Sequence, residues 1–250
     1  MTPEITCEEL GAALDGVVCE LLAEAGVVGP PVDSWVLARS QRLTVAEDAR
    51  QQGRARYLRP QRLGRRGGVG GVVLIRPEPR LERRHWALAH ELGEHNAHRV
   101  FRQLGIDPRT APADAREQVA NFLANRLLLP TDWFHDAAAT CGWDLFDLKQ
   151  TFVTASHELI ARRMLDFGTP LVVTVCDNTE VTFRRGNLGG TAPAMLDVER
   201  QCWQLANRRV APARLSHEGF LVQSWPIHEN GWQREIMRLS WSPECWSPEC

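Results

Sequence analysis

The chain has 250 residues, of which 44% are hydrophobic and 24% are charged, and its formal net charge is -2 at pH 7. This length supports one large core, or a catalytic core of about 150 residues with a smaller appendage. A molecule so close to neutrality has no overall field that attracts nucleic acid or an anionic membrane, which argues against both as general partners.

The N-terminus and the cysteines indicate the compartment. The first residues lack the basic start and apolar run of a signal peptide, and no run of about 18 apolar residues predicts a transmembrane helix. The seven cysteines are odd in number and irregularly spaced, which favours free thiols in a reducing compartment over a disulfide framework. We therefore expect a cytoplasmic protein that has no membrane partner.

The N-terminal part of the chain predicts helices followed by short strands. Apolar residues at helical spacing indicate a helix at 7–25 and a second helix from about residue 31. β-Prone segments at 43–45, around 57–58 and at 71–75 follow, separated by turns rich in arginine and glycine. Together these segments predict a small sheet.

Longer helices follow the strands. One spans about 79–104 and ends before Gly105, and the next spans about 112–129 and is closed by a proline. Segments 144–152 and 156–167 then form a helix-turn-helix-like pair. The apolar residues of this pair make a strong core face, so we expect a scaffold element and argue against direct nucleic-acid binding.

After residue 168 the composition changes, and we place a domain boundary there. Residues 171–176 and 180–183 predict a β-hairpin, and 219–241 is rich in aromatic and apolar residues. The sequence Trp-Ser-Pro-Glu-Cys then occurs twice in tandem at 241–250. Because its prolines cannot continue a helix, we expect a flexible tail.

His90 and Glu91 begin the motif that carries chemistry. In a zincin helix, His-Glu-x-x-His places two metal ligands four residues apart on one face, and the glutamate takes a proton from water. Position 94 is glutamate here. Since residues five apart on a helix differ by about 140° around its axis, His95 points away from His90, whereas Glu94 shares its face. His95 stays an alternative ligand to Glu94, through a local π-bulge.

A second segment supplies a further carboxylate. Glu117 is followed by Ala120-Asn121 and by a leucine run that ends at Pro130. With the His90 helix, this segment resembles the ImmA/IrrE family of metallo-endopeptidases, and the resemblance extends over about 30–168. It implies that His90, position 94 and Glu117 hold one divalent metal ion, with zinc as the first choice and manganese as the second. It also implies that Glu91 activates water.

The resemblance implies a metal-dependent endopeptidase whose protein substrate is a DNA-binding, helix-turn-helix transcriptional repressor. Two alternatives stay open. Because position 94 is not histidine, the chain could instead be a catalytically inactive, peptidase-like module that binds a protein partner. The helix pair at 144–167 leaves a DNA-binding regulator as the other alternative.

These features predict an α+β chain in two parts. Residues 1–168 form a mainly helical, zincin-like metallopeptidase core with a small sheet, which ends in the helix-turn-helix-like pair. Residues 169–250 form a C-terminal α+β region that has no assigned role and closes with the tail.

Overall fold

The structure of the protein is a computed structural model, and it describes residues 5–51, 53–58 and 71–241. The tail predicted to be flexible lies outside these residues from position 242 onward. Within the described part of the chain, no helix has both the length and the apolar character that crossing a membrane requires.

Helices and strands occur in separate groups along the chain, which confirms the predicted α+β class. The elements are α1 (Cys7–Glu24), α2 (Ser34–Ser40), β1 (Thr44–Glu47), β2 (Ala55–Leu58), β3 (Val72–Ile75), α3 (Leu81–Gln103), α4 (Ala113–Leu128), α5 (Thr131–Thr140), α6 (Leu145–Thr151), α7 (His157–Arg163), β4 (Leu171–Asp177), β5 (Glu180–Gly186), α8 (Asp197–Arg209), β6 (Ala213–His217), β7 (Phe220–Glu229) and β8 (Trp232–Trp241). The sequence analysis did not predict α5 and α8.

The chain divides into two compact units. The first contains residues 1–140 with 150–156, and the second contains 141–149 with 157–250. Packing therefore places most of the helix-turn-helix-like pair in the second unit, whereas the sequence pattern placed it before a boundary at 168. The division into 1–168 and 169–250 stays a prediction.

The first unit packs its helices around a three-stranded sheet. The strand order is β1-β3-β2, with β1 parallel and β2 antiparallel to β3. Helix α1 begins at a capping box, in which Thr6 and Glu9 satisfy each other's backbone N–H groups. The core is contiguous across these elements and includes the fully buried residues Leu14, Val17, Val73, Leu88, Leu92, Leu123 and Leu127.

Helices α3 and α4 approach each other closely at a glycine. A Cβ atom built on Gly93 would lie 2.4 Å from the carbonyl oxygen of Ala120, which is far inside van der Waals contact. Ala120 is itself fully buried. The missing side chain at position 93 thus sets the distance between the two helices, and with it the distance between their functional side chains.

The second unit is an antiparallel sheet of five strands in the order β5-β4-β8-β7-β6. Helix α8 packs on one face through Val198 and Cys202, which join a core with Val222 and Leu239. The predicted hairpin at 171–183 is present as β4 and β5.

Candidate metal centre

The long helix α3 supplies the central side chain of the candidate site. Its apolar face, which includes Leu88 and Leu92, is fully buried in the core. This packing fixes the rotation of the helix and leaves His90 at the edge of the buried face, with only 15% of its side chain exposed. Glu94 lies one turn further along the same face, and its side chain is 46% exposed.

The three predicted ligands, His90, Glu94 and Glu117, lie close together. The Nε2 atom of His90 lies 3.7 Å from a carboxylate oxygen of Glu94 and 3.6 Å from a carboxylate oxygen of Glu117. One ligand atom from each of the three residues lies within 4.8 Å of the others. Helix α4 contributes Glu117, whose carboxylate also accepts a hydrogen bond from Asn121. The geometry therefore brings together the set that the sequence predicted.

The donor set fits a divalent cation. One imidazole nitrogen and two carboxylates are a ligand combination that zinc accepts, with a fourth position left for water or substrate. In the part of the chain that the structure describes, the charged neighbours of His90 Nε2 are both carboxylates, and neither has an arginine within ion-pairing distance. Two carboxylates that share one histidine and lack a protein cation are a site at which a metal ion would be stabilised.

Glu91 is buried beside this cluster. Only 5% of the residue is exposed, and its carboxylate accepts a hydrogen bond from the backbone N–H of Tyr57 in β2. Burial and, to a lesser degree, the negative charge of Glu94 raise the pKa of Glu91 to about 7. A carboxyl group that exchanges its proton near neutral pH is suited to general acid–base catalysis.

The His90 ring is held by stacking against an indole. Its Nδ1 atom is buried and has no hydrogen-bond partner among the described residues, although most metal-binding histidines donate this second N–H to an acceptor. The ring of Trp86 instead stacks on it at a centroid distance of 5.4 Å and an interplanar angle of 23°. Trp86 is in turn fixed by a hydrogen bond of 3.3 Å from its Nε1 to Asn125.

The other histidines of α3 lie outside the cluster. The ring of His95, the alternative ligand, packs edge-on against Tyr57 at 5.1 Å. His98 contacts the backbone oxygen of His95, and the buried His85 ring faces Ser34. The rotation of a regular helix therefore separates His95 from His90, as the sequence analysis expected.

Sequence reasoning missed the supports of the site. It assigned no role to Trp86, Asn125 or Tyr57. A signal was present for Trp86, which precedes His90 by four residues and so shares its helix face. No signal in the sequence indicated that the backbone of Tyr57 would reach Glu91, because that contact depends on how β2 pairs and packs.

The His90 helix and the following helix that carries Glu117 lie within one segment that matches a known family. Residues 42–165 match the model of peptidase family M78, which is described as an IrrE N-terminal-like domain. The matched segment includes the whole cluster and Glu91. Residues 42–165 thus form an IrrE N-terminal-like domain of peptidase family M78, in agreement with the resemblance seen in the sequence.

Structural similarity extends beyond the matched domain. A solved structure described as a Mycobacterium tuberculosis transcriptional regulator has a TM-score of 0.64 and 17% sequence identity with the protein, and the match covers 94% of this chain and 77% of that chain. At this identity the similarity concerns the fold. No curated protein gave a sequence match to the chain.

Proposed function

We propose that the protein is a metal-dependent endopeptidase in which His90, Glu94 and Glu117 hold one divalent cation. Zinc is the first choice of metal and manganese the second. The observation that carries the proposal is the convergence of the three ligand atoms within 4.8 Å of one another, directly beside the buried Glu91. The match of residues 42–165 to the model of a peptidase family supports the same reaction class.

Glu91 is the residue that moves the proton. A divalent cation, when bound, acts as a Lewis acid toward a peptide carbonyl and makes a water molecule more acidic. The Glu91 carboxylate takes the proton of the attacking water and delivers it to the leaving amine. Its hydrogen bond from the Tyr57 N–H orients the carboxylate, and its burial keeps the pKa high enough for the proton to be returned.

The substrate is proposed from similarity. The resemblance to ImmA/IrrE peptidases supports a helix-turn-helix transcriptional repressor that is cut at one exposed peptide bond, in the cytoplasm. The description of the Mycobacterium tuberculosis structure as a transcriptional regulator is compatible with a role in regulating transcription.

The substitution Glu91→Gln tests the reaction. With a helix-turn-helix repressor encoded near its gene as substrate, we expect the zinc-loaded variant to lose cleavage while its zinc content and thermal unfolding stay as in the wild type. Glu82→Gln in the first turn of the same helix is the matched control and should leave cleavage unchanged. Cleavage by Glu91→Gln at the wild-type rate would refute the assigned role.

Separate alanine substitutions test the ligand choice. Glu94→Ala should lower the zinc content of the purified protein, whereas His95→Ala should not, because the His95 ring lies against Tyr57. Loss of zinc in the His95 variant alone would overturn the assignment of Glu94.

A second function has one specific observation in its favour. Glutamate stands at the position where the zincin motif has its second histidine, and the side chains of Glu94 and Glu117 are 46% and 55% exposed. A catalytically inactive module that binds a protein partner would tolerate such a site. It would bind that partner equally well with and without Glu91→Gln, and would cut nothing when zinc is added.

A further inference from the structure

Glu117 is the most exposed of the three proposed metal ligands. Its side chain is 55% exposed, compared with 46% for Glu94 and 15% for His90. It lies on α4, whereas the other two ligands share α3. A glutamate side chain has several rotatable bonds, and fixing them costs conformational entropy. A group that holds this carboxylate in place before a metal ion binds would therefore strengthen the binding.

Asn121 contacts the carboxylate oxygen of Glu117 that faces His90. It lies one turn after Glu117 on α4, and its Nδ2 donates a hydrogen bond of 3.3 Å to Glu117 Oε1. The same Oε1 atom lies 3.6 Å from His90 Nε2. The direction of the hydrogen bond follows from the chemistry, because an ionised carboxylate can only accept and the amide must present its N–H group. One oxygen of Glu117 is thus held by Asn121 on the side that faces the imidazole.

The backbone next to Asn121 is fixed against α3. The preceding residue, Ala120, is fully buried, and its carbonyl oxygen would lie 2.4 Å from a Cβ atom built on Gly93. Leu123, two residues further along α4, is also fully buried in the core. These contacts set the position and the rotation of α4 relative to the helix that carries the other ligands. The amide of Asn121 is therefore a fixed point from which Glu117 can be oriented.

An amide suits this role because it carries no charge. A lysine or an arginine one turn from Glu117 would form an ion pair with it along the helix. That pair would compensate the negative charge that attracts a metal cation. Asn121 restricts the orientation of the carboxylate and leaves its charge in place. Groups that form hydrogen bonds with metal ligands in this way commonly strengthen metal binding.

We propose that Asn121 is a positioning residue of the metal centre, which holds Oε1 of Glu117 toward His90 and so strengthens the binding of the divalent cation. It acts through Glu117 and has no contact with the metal ion in this role. The inference rests on the proposed function, because it requires that His90, Glu94 and Glu117 hold the cation. Since the carboxylate is oriented before the cation binds, the effect is on metal affinity.

The zinc affinity of the full chain, measured by competition with a chelator, tests this role. Asn121→Leu removes the donor at similar side-chain size, and we expect zinc to bind about tenfold more weakly. Asn121→Gln keeps an amide N–H group and should recover most of the affinity. Asn121→Lys replaces the neutral donor by a cation and should bind zinc more weakly than the leucine variant. Gln118→Leu, which removes an exposed amide from the same helix, is the matched control and should bind zinc like the wild type.

Thermal unfolding without metal separates lost orientation from lost structure. All four variants should unfold close to the wild-type Tm, because position 121 is only partly buried and position 118 is exposed. The inference is overturned if Asn121→Leu binds zinc as tightly as the wild type, if Asn121→Gln binds as weakly as Asn121→Leu, or if Gln118→Leu loses as much affinity. A wild-type chain that binds no zinc would instead contradict the metal centre of the proposed function, and this inference with it.

Discussion

In the first compact unit, the carboxylates of Glu94 and Glu117 lie within 4 Å of His90 Nε2, and neither is paired with an arginine among the described residues. In the second, the guanidinium of Arg238 lies buried, and in the described part of the chain no carboxylate is paired with it. The two regions thus show opposite uncompensated charges. Elsewhere the same chain pairs its buried charges within the fold, as Arg184 and Glu199 do.

Whether a charged group is paired within the fold distinguishes groups that stabilise the fold from groups that bind a ligand. A buried ion pair such as that of Glu199 stabilises the fold only as long as both partners are present. An unpaired charged group lowers the free energy of unfolding as long as no ligand is bound. Its removal should therefore not destabilise the ligand-free protein. The predictions below use this difference, from the largest expected effect to the smallest.

Glu199→Gln removes one partner of a buried pair. Arg184 would keep its charge at a site where its side chain is only 12% exposed, so we expect a loss of about 3–5 kcal/mol in the free energy of unfolding. Chemical denaturation measures it. Glu117→Gln at the metal centre is the contrasting variant and should unfold like the wild type in the absence of metal. A similar loss in both variants would show that paired and unpaired carboxylates are not different in kind.

Gly93→Ala pushes α3 and α4 apart. The added methyl group meets the backbone of Ala120, and we expect the free energy of unfolding to fall by about 1–3 kcal/mol. Zinc affinity should fall as well, since Glu117 moves away from His90. Gly11→Ala in α1 is the control, because an added Cβ there would meet only the guanidinium of Arg126, at an ordinary contact distance of 3.9 Å, and alanine favours a helix by up to about 1 kcal/mol. Zinc titration measures this affinity. Wild-type zinc affinity in Gly93→Ala would contradict this role of the helix contact.

Trp86→Ala leaves the His90 ring without its stacked neighbour. By analogy with the loss of other groups that orient metal ligands, we expect zinc to bind about tenfold more weakly. Trp86→Phe keeps an aromatic face and should bind close to normally. Competition with a chelator measures both affinities. Equal affinities of the alanine and wild-type proteins would mean that the helix backbone alone orients the ring.

The sequence predicted the main helices because their apolar spacing and their ends are local properties. Helix α3 was expected over about 79–104 and spans Leu81–Gln103, and the glycine after it ends the pattern. Helix α8 was missed although Val198, Cys202 and Ala206 recur every four residues, since its remaining positions are almost all polar.

The site was predictable to the extent that one helix determines it. Four residues separate His90 from Glu94, and helical geometry alone places them together. The position of Glu117 beside His90 depends on the close packing of α3 and α4 at Gly93. Hydrophobic periodicity does not predict this contact, and Glu117 was assigned as a ligand only because the segment resembles a known family. Arg238 was not predicted, because a charged residue in an alternating strand normally faces solvent. The burial of Arg238, which is 4% exposed, depends on tertiary packing, including that of Trp143 against its guanidinium.

Zinc titration of the purified full chain tests the central claim most directly, with Glu117→Ala and His90→Ala measured beside it. The arrangement of ligand atoms predicts one zinc ion per wild-type chain and a strong loss of binding in both variants, whose fold is checked by thermal unfolding. A wild-type chain that takes up no zinc or manganese, or that binds them as its variants do, would contradict the assignment of a metal centre to His90, Glu94 and Glu117.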